Sequence, residues 1–464
     1  MKSQAIFRNL YDAVMTAFVA SYIASVTFAQ ETDKASPLTL KQAVIIALEK
    51  NPLRKAALAD TKAAAADVRE ARSSLLPHLT FSETVTRGND PVYVFGSKLR
   101  QQRFTAADFS LNLLNTPPPL NNYSSRFGAT WNLFDSFASW HGITRAERGK
   151  DAAELQLERA DQELVFGAIN AYDGLLLAKK EQEVAEQATK TAQAIFDRSK
   201  ARVESGVAVE SDLLNAQVRL AARKQELIRA QNNLSLSRAE LARAMGISTD
   251  KEIEPVETLT ERSLPEKSLE DLEKQALEAR PDLKRIQSEE AAQRQSVAIA
   301  KSSFGPRVNA FADWEADNPT FVSGGGGNNW VAGIEVQVDL FQGGARRAKL
   351  QHEQAAQEKV AALKQAARDA TRLEVRRAYY DFDAARQQVE VAKAAIAQAQ
   401  ESLRITQNRY ESGVSTITDL LSAEEAASRS QADYWQTVCR YQTSYANLEL
   451  ATGTLNAQSR VVMP

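Results

Sequence analysis

Alternating apolar and polar residues in four short segments predict β-strands. The clearest segment runs from Trp330 to Leu340, where every second residue is apolar and Glu, Gln and Asp lie between them. The same alternation, in weaker form, occurs over 79–86, 127–133 and 308–314. The four strands are predicted to form two hairpins, and each strand has about the ten residues that a tilted strand needs to cross a bilayer.

Long stretches between the strand segments predict helices. No Pro occurs over 120–254 or 320–463, and both stretches are rich in Ala, Glu, Gln, Lys, Arg and Leu, which favour helices. Apolar residues recur there at helical spacing. One long helix is expected over 138–206 and another over 345–413, each about 100 Å long at a rise of 1.5 Å per residue. Each is expected to lie beside two half-length helices placed end to end.

The two halves of the chain repeat one plan. The segment Arg202–Val207 recurs as Arg409–Val414, and nine of the sixteen residues over 201–216 are identical 207 positions later. Matched Gly and Pro residues make coincidence between two Ala-rich helices a poor explanation, and a fixed-register repeat indicates tandem duplication. The expected units are a first repeat over 38–246 (hairpin about 79–134, tip at 206), a linker over 247–267, a second repeat over 268–453 (hairpin about 307–341, tip at 413), and a tail over 454–464.

Residues 1–29 are predicted to be a secretory signal peptide. Lys2 and Arg8 precede a mostly apolar run over 13–20, and the small residue Ala29 is followed by polar residues. A short membrane anchor is the alternative, but the run is brief and Asp12 adjoins it. No stretch of about 18 apolar residues follows residue 30, so the exported chain is expected to cross a membrane only as a barrel.

Composition argues against several classes of function. The 57 Lys and Arg residues balance 59 Asp and Glu residues for a net charge of −2, so no nucleic-acid partner is expected. The single Cys439 and three scattered His residues offer no metal cluster or catalytic set. The Gly run over 324–327 lacks the Lys-Ser/Thr of a phosphate-binding loop. The chain is therefore expected to be no enzyme and to need no cofactor.

Four strands are too few for a membrane barrel. The smallest such barrels have about eight strands, and lipid cannot satisfy the backbone groups of an open edge. Several copies of the chain must therefore contribute strands to one barrel. Four of the five Trp residues lie in or beside the strands, where they are predicted to form an aromatic girdle at the membrane interface. These residues are Trp131, Trp140, Trp314 and Trp330.

The two strand hairpins, the doubled helical hairpins and the paired tip motifs resemble the TolC-type outer-membrane efflux proteins. The strand exit Leu340-Phe341-Gln342-Gly343-Gly344 adds to this resemblance, which spans about residues 38–455. It implies a mainly α fold with a membrane β-barrel, in which helical hairpins form a periplasmic α-barrel. It also implies a homotrimer whose chains each give four strands to a twelve-stranded outer-membrane barrel. The implied partners are a periplasmic adaptor protein and an inner-membrane pump.

The expected function is an outer-membrane exit duct. It would carry substrates from the adaptor and pump across the periplasm and the outer membrane. The alternative is a periplasmic coiled-coil adaptor or a structural scaffold without a pore. An adaptor would have a single helical hairpin, whereas this chain has two. A scaffold would explain the helices but neither the signal peptide nor the aromatic strands.

The two Gly turns lie farthest from the strands and are predicted to form the inner mouth. Asp212 and Asp419 follow them near the start of the returning helices, where an acidic residue can cap a helix or complement its dipole. The resemblance implies a second role: a ring of carboxylates from Asp419, and a bond between Tyr410 and Asp212 that holds the mouth shut. In the resembling family a second acidic ring often lies one helical turn further on, but this chain has Ser422 at that place.

The turns are also predicted to be the docking surface for the adaptor. They carry small and apolar residues that can accept a partner's helical hairpin. The alternative is an ordinary turn, but the resemblance favours docking. The candidate docking residues are Gly206, Val207, Gly413, Val414 and Ser415.

Overall fold

The structure, a computed structural model, describes residues 36–265, 267–321 and 327–462. The predicted signal peptide and most of the Gly run lie outside the described residues. The strands are β1 (Ser36–Leu38), β2 (His78–Gly88), β3 (Leu120–Phe134), β4 (Ile253–Pro255), β5 (Arg307–Asn318) and β6 (Gly327–Gln337). The helices are α1 (Leu40–Lys50), α2 (Pro52–Ser73), α3 (Pro91–Arg100), α4 (Leu111–Asn115), α5 (Ala138–Glu204), α6 (Glu210–Met245), α7 (Leu269–Ala279), α8 (Pro281–Ser302), α9 (Ala345–Glu411) and α10 (Ile417–Ala451), with a 3₁₀ turn at Ala106–Phe109.

Four strands form one antiparallel sheet in the order β2-β3-β5-β6. One register row crosses all four strands and consists of Phe81, Phe127, Trp314 and Trp330. Since side chains alternate between faces, this aromatic row marks the apolar face, and the opposite face carries Ser82, Arg126 and Glu315. A separate parallel pair joins β1 to β4.

The helices form a layer around α5 and α9, which have 67 residues each. Above the tips, α5 packs against α2, α6, α8 and α10, and α9 packs against α7, α8 and α10. The flanks of the layer are therefore α2 with α6 on one side and α9 on the other. The main core lies midway along the helices, around Tyr172, Leu241 and Val438. In the described part of the chain, none of the helices is both long enough and apolar enough to span a membrane.

The half-length helices meet end to end at equivalent points of the two repeats. In the first repeat, the amide of Asn51 donates to the carbonyl of Ala244 at 2.9 Å. In the second, Arg280 Nη1 donates to the carbonyl of Ala451 at 3.0 Å. The first contact ties the start of α2 to the end of α6, and the second ties the start of α8 to the end of α10.

Several boundaries differ from those that the pattern predicts. Each upper half-helix is broken into two, because Pro52 and Pro281 start a new helix and restrict the residue before them. Strand β6 ends at Gln337, so the alternation over 338–340 continues past the last hydrogen-bonded residue. The tip of the first hairpin, over 88–122, contains α3, the 3₁₀ turn and α4, which the sequence pattern did not predict. The linker contains β4, which the sequence did not predict.

Candidate functional site: the paired helical tips

The two tips turn in the same way. Gly206 and Gly413 have φ angles of 76° and 75°, in the left-handed region that favours glycine. In the first tip, Gly206 N–H donates to the carbonyl of Val203 and Val207 N–H to that of Arg202, both at 2.9 Å. The second tip repeats both bonds. This is the hydrogen-bond pattern of a Schellman motif, which ends a helix and reverses the chain.

The returning helices begin differently. In the second repeat, Thr416 caps α10: Asp419 N–H donates to Thr416 Oγ1 at 3.1 Å, and Thr416 N–H donates to Asp419 Oδ2 at 3.0 Å. This reciprocal pair is a capping box. In the first repeat the residue at the cap is Val209, which has no hydroxyl, so half-buried Asp212 lies in the first turn without that partner.

The carboxylate of Asp419 is fixed by its hydrogen bonds. Its Oδ2 also accepts from the hydroxyls of Thr416 at 2.7 Å and Ser415 at 3.0 Å. The backbone N–H of Thr416, followed by these hydroxyls, lowers the pKa of Asp419 below its ordinary value. Asp419 therefore stays ionised at neutral pH while serving as a cap.

Tyr410 lies inside the tip rather than on its surface. Its side chain is buried, its ring centroid lies 4.8 Å from the Arg202 guanidinium carbon, and its carbonyl accepts from Arg202 Nη1 at 2.9 Å. Among the described residues its hydroxyl has no hydrogen-bond partner, so the bond to Asp212 implied by the resemblance is not formed within the chain. The reason is packing, because the ring joins an apolar cluster of Ile195, Ala216, Ile417, Leu420 and Leu421.

The two helical hairpins are joined by arginines that all come from the first repeat and by acceptors that all come from the second. Arg219 Nη2 lies 2.6 Å from Glu425 Oε2, and Arg223 Nη2 lies 2.9 Å from Glu424 Oε2. Arg198 bonds Glu411, and Arg202 contacts Tyr410 as described. We call this set the arginine clasp: Arg198, Arg202, Arg219 and Arg223 with Glu411, Tyr410, Glu425 and Glu424.

The pair of Arg223 and Glu424 is the buried member of the clasp. Their side chains are 7% and 2% exposed, and Arg223 also bonds Glu226 at 2.7 Å. Losing one partner of such a pair leaves an uncompensated buried charge, which costs about 3–5 kcal/mol. The pair therefore locks α6 to α10 above the mouth.

The two pairs nearest the core of the clasp are formed by residues that the other repeat does not share. At the positions equivalent to Arg219 and Arg223, the second repeat has Ala426 and Ser430. At the position equivalent to Glu424, the first repeat has Gln217. The sequence reasoning missed the clasp because it compared identical positions. For Arg219, Arg223, Glu424 and Glu425 the signal was in positions that differ between the repeats, where charge occurs in one repeat only. Arg202 and Glu411 keep their charge in both repeats, as Arg409 and Glu204.

The predicted docking residues lie at the ends of the tips. Val207 and Val414 are exposed, as is neighbouring Val209. Gly206 and Gly413 are exposed as well, whereas Ser415 is half-buried and donates to Asp419. Together they form a small apolar surface at the end of each hairpin.

The aromatic residues of the sheet occupy two levels. Trp314 and Trp330 belong to the aromatic row, and Trp131 lies nearer the helices, where its Nε1 donates to the carbonyl of Leu75 at 2.9 Å. Trp140 is exposed but lies in the first turn of α5, beyond the end of β3. It is therefore beside the sheet rather than in it.

The described residues contain no group of His, Cys, Asp and Glu side chains that could hold a metal ion. Cys439 is buried in the main core, where burial raises the pKa of its thiol to about 12. That thiol is therefore protonated and unreactive at neutral pH.

Comparison with known proteins fits this architecture. A family model described as outer membrane efflux protein matches residues 44–247 and 272–454. The chain is 26% identical to Protein CyaE of Bordetella pertussis over 84% of its length and 79% of that protein. It is 24% identical to outer membrane protein TolC of Escherichia coli over 89% of its length and 82% of that protein. The structure of VceC from Vibrio cholerae superposes with a TM-score of 0.74 at 22% identity, covering 89% of this chain and 96% of that one. Because the family model matches most of the sequence, the chain belongs to the outer membrane efflux protein family.

Proposed function

We propose that three copies of this chain form one continuous duct, with a twelve-stranded barrel in the outer membrane and a ring of twelve helices reaching into the periplasm. The family confirms the coarser expectation of an outer-membrane exit duct for efflux. It does not favour the alternative of a periplasmic adaptor or scaffold without a pore. What we propose beyond this is that three chains assemble and that their strands close into one barrel.

The open edges of the sheet support the proposal. In the described residues β2 pairs only with β3, and β6 pairs only with β5. Two unpaired edges cannot face lipid, because each unsatisfied backbone group costs several kcal/mol there. Pairing β6 of one copy with β2 of the next removes every edge, and three copies give twelve strands. The aromatic row then runs around the barrel on the lipid side.

The flanks of the helical layer support the same closure. Exposed apolar residues share one face of α6, separated by sums of three- and four-residue steps, and others share one face of α9 in the same way. In a ring, α6 of one copy would pack against α9 of the next and bury both rows. The rows are Leu214, Val218, Ile228 and Leu236 on α6, and Leu373, Tyr380, Val391 and Ile405 on α9.

The tips are proposed to close the inner mouth of this duct. Three copies would bring three Asp419 carboxylates around the axis, where ionised groups attract cations. The lowered pKa of Asp419 supports a ring that stays charged. Asp212 would add charge at the neighbouring tip, and Tyr410 would fill the space under Arg202. The arginine clasp would hold the two hairpins of each copy together.

The exposed apolar ends of the tips are proposed to bind the periplasmic adaptor. Val207 and Val414 lie beside turns that project beyond the helical layer, so an adaptor's helical hairpin can reach them. An inner-membrane pump would then supply the cargo. The duct itself has no part in choosing the cargo under this proposal.

The observation that carries the proposal is the sheet of four strands with two open edges and an apolar face. Its test is the conductance of the detergent-purified chain in planar bilayers, measured with Asp419→Ala and Tyr410→Phe beside the parent. We expect channels, and less inhibition by added divalent cations in Asp419→Ala. A chain that gives no channel in any form would overturn the duct. Unchanged cation sensitivity in Asp419→Ala would overturn only the gate assignment.

A further inference from the structure

The first strand hairpin carries a folded segment between its strands, where the second hairpin has a much shorter connection. Residues 89–119 lie between β2 and β3, and we call them the outer insert. The second hairpin joins β5 to β6 through residues 319–326. The outer insert contains α3, the 3₁₀ turn and α4, so it is a small structure of its own.

The outer insert lies on the polar face of the sheet. Arg100 Nη1 lies 3.5 Å from Glu315 Oε1, and the carbonyl of Arg100 accepts from Asn329 Nδ2 at 3.2 Å. Glu315 and Asn329 are register partners on the face opposite the aromatic row. The segment therefore crosses β5 and β6 on the side that would line the barrel.

Buried polar contacts anchor the outer insert there. Gln101 is 2% exposed, and its Nε2 donates to Asn122 Oδ1 at 2.8 Å. Asn122 Nδ2 in turn donates at 2.6 Å to Asp317 Oδ1, and Asp317 is fully buried. A side chain at Gly327 would place Cβ 1.7 Å from the carbonyl oxygen of Arg100, so the strand accepts the segment only because glycine is there.

The outer insert is also held together internally. Lys98 Nζ lies 2.6 Å from Asp108 Oδ1. The rings of Phe95 and Phe104 lie 4.7 Å apart, and those of Phe104 and Phe109 lie 5.2 Å apart, in edge-on geometry. Its other surface is apolar and open, with Val92 81% and Leu111 78% exposed.

We propose that the outer insert narrows the outer end of the duct, where its apolar surface packs against the same segment of the two other copies. This inference rests on the trimeric barrel proposed above. Strands about 4.8 Å apart and tilted about 40° give a twelve-stranded barrel a backbone radius of about 12 Å. Three helices about 10 Å across need a radius of about 11 Å to lie side by side. Three outer inserts therefore nearly fill that end.

Cysteine cross-linking tests the contact between copies. In a Cys439→Ala background, Val92→Cys and Leu111→Cys are treated with a short bismaleimide in the assembled protein. Each variant then carries one cysteine per chain, so covalent dimers are expected on a denaturing gel. The matched control, Leu79→Cys, is exposed on the opposite face of the sheet and should give none. Trimers in which neither insert cysteine cross-links would overturn the inference while leaving the duct intact. A monomeric parent would overturn the duct itself, and the inference with it.

Single-channel conductance tests the narrowing. Residues 92–118 are replaced by a short Gly-Ser link in a Glu424→Ala background, so that the inner mouth limits the current less. We expect at least a twofold higher conductance than in the same background with the outer insert present. Equal conductance in the two proteins would overturn the narrowing. If the shortened chain fails to assemble, the cross-linking result on the full chain decides.

Discussion

The tip of the first repeat and the tip of the second share one backbone turn but differ in how their side chains are used. Gly206 and Gly413 take nearly equal φ angles, and the hydrogen bonds around them match. Only the second tip starts its returning helix with a capping box. Only the first supplies arginines to the clasp.

This difference teaches which parts of a duplicated unit are fixed by physics. A reversal through positive φ demands glycine in both copies. A contact between the two hairpins does not demand the same residue in both repeats, since it needs one donor and one acceptor. An ion pair between the repeats forms when their sequences diverge, one to Arg and the other to Glu. The four predictions that follow probe this division, from the largest effect to the smallest.

The buried pair of the clasp should matter most. Glu424→Ala leaves the charge of Arg223 buried without its main partner, and we expect the tips to lose about 3–5 kcal/mol. Amide hydrogen exchange over residues 410–425 should become roughly 100-fold faster or more. Gln217→Ala changes the equivalent residue of the first repeat and is the control, expected to leave exchange unchanged. Equal exchange in both variants would contradict the lock between α6 and α10.

A second divergence lies in the main core. Asp173 is fully buried, whereas its equivalent in the second repeat, Tyr380, is exposed. Burial raises the pKa of Asp173 from 3.8 to about 7. Between these pH values Asp173 is protonated in the folded chain but ionised in the unfolded chain. The contribution of Asp173 to folding stability is therefore fully present below pH 3.8 and is lost as pH rises through 7.

Asp173→Asn should therefore raise the unfolding temperature at pH 8 and leave it nearly unchanged near pH 4. A shift of about three pKa units corresponds to about 4 kcal/mol at most. Thermal unfolding followed by circular dichroism at the two pH values measures the effect, with Tyr380→Phe, at the equivalent position of the second repeat, as the control. A difference that is the same at pH 4 and pH 8 would refute the buried titration.

The shared turn predicts equal costs in the two repeats. Gly206→Ala and Gly413→Ala each force a Cβ into the left-handed region, which costs about 1–2 kcal/mol. Neither new Cβ would meet another atom within 4 Å, so backbone strain is the only cost. Denaturant unfolding of the two variants should give losses that agree within error. A clearly larger loss at one glycine would mean that the turns are not equivalent.

The capping difference should be reversible by exchange of single residues. Thr416→Val removes a hydroxyl cap, which is worth about 1 kcal/mol. Val209→Thr places a hydroxyl three residues before Asp212 and should build the missing capping box, with a gain of similar or smaller size. Hydrogen exchange in the first turn of α6 should slow in Val209→Thr. In the first turn of α10 it should become faster in Thr416→Val. No gain from Val209→Thr would show that the first tip lacks the geometry for a capping box.

Sequence reasoning predicted the features that recur with a period. The alternation around Trp330 predicted the strand faces, and the spacing of Gly residues predicted both tips. It failed where tertiary contacts decide. Val338 and Leu340 keep the alternation of a strand but have no strand partner in the described chain. The break at Pro52 is different, because proline restricts the residue before it and the sequence itself carries that signal. The alternation placed the outer insert only as the tip of the first hairpin and did not predict its short helices. The arginine clasp depends on which helices of the two hairpins are neighbours, and no local sequence pattern shows that.

The most direct test of the account is the mass of the purified full-length protein in detergent. The account requires that β6 of one chain pair with β2 of another, because neither edge has a partner within the described chain. Light scattering corrected for bound detergent should give three times the mass of the single chain. A protein that remains a single chain under the same conditions, with its sheet folded and both edges unpaired, would contradict the account.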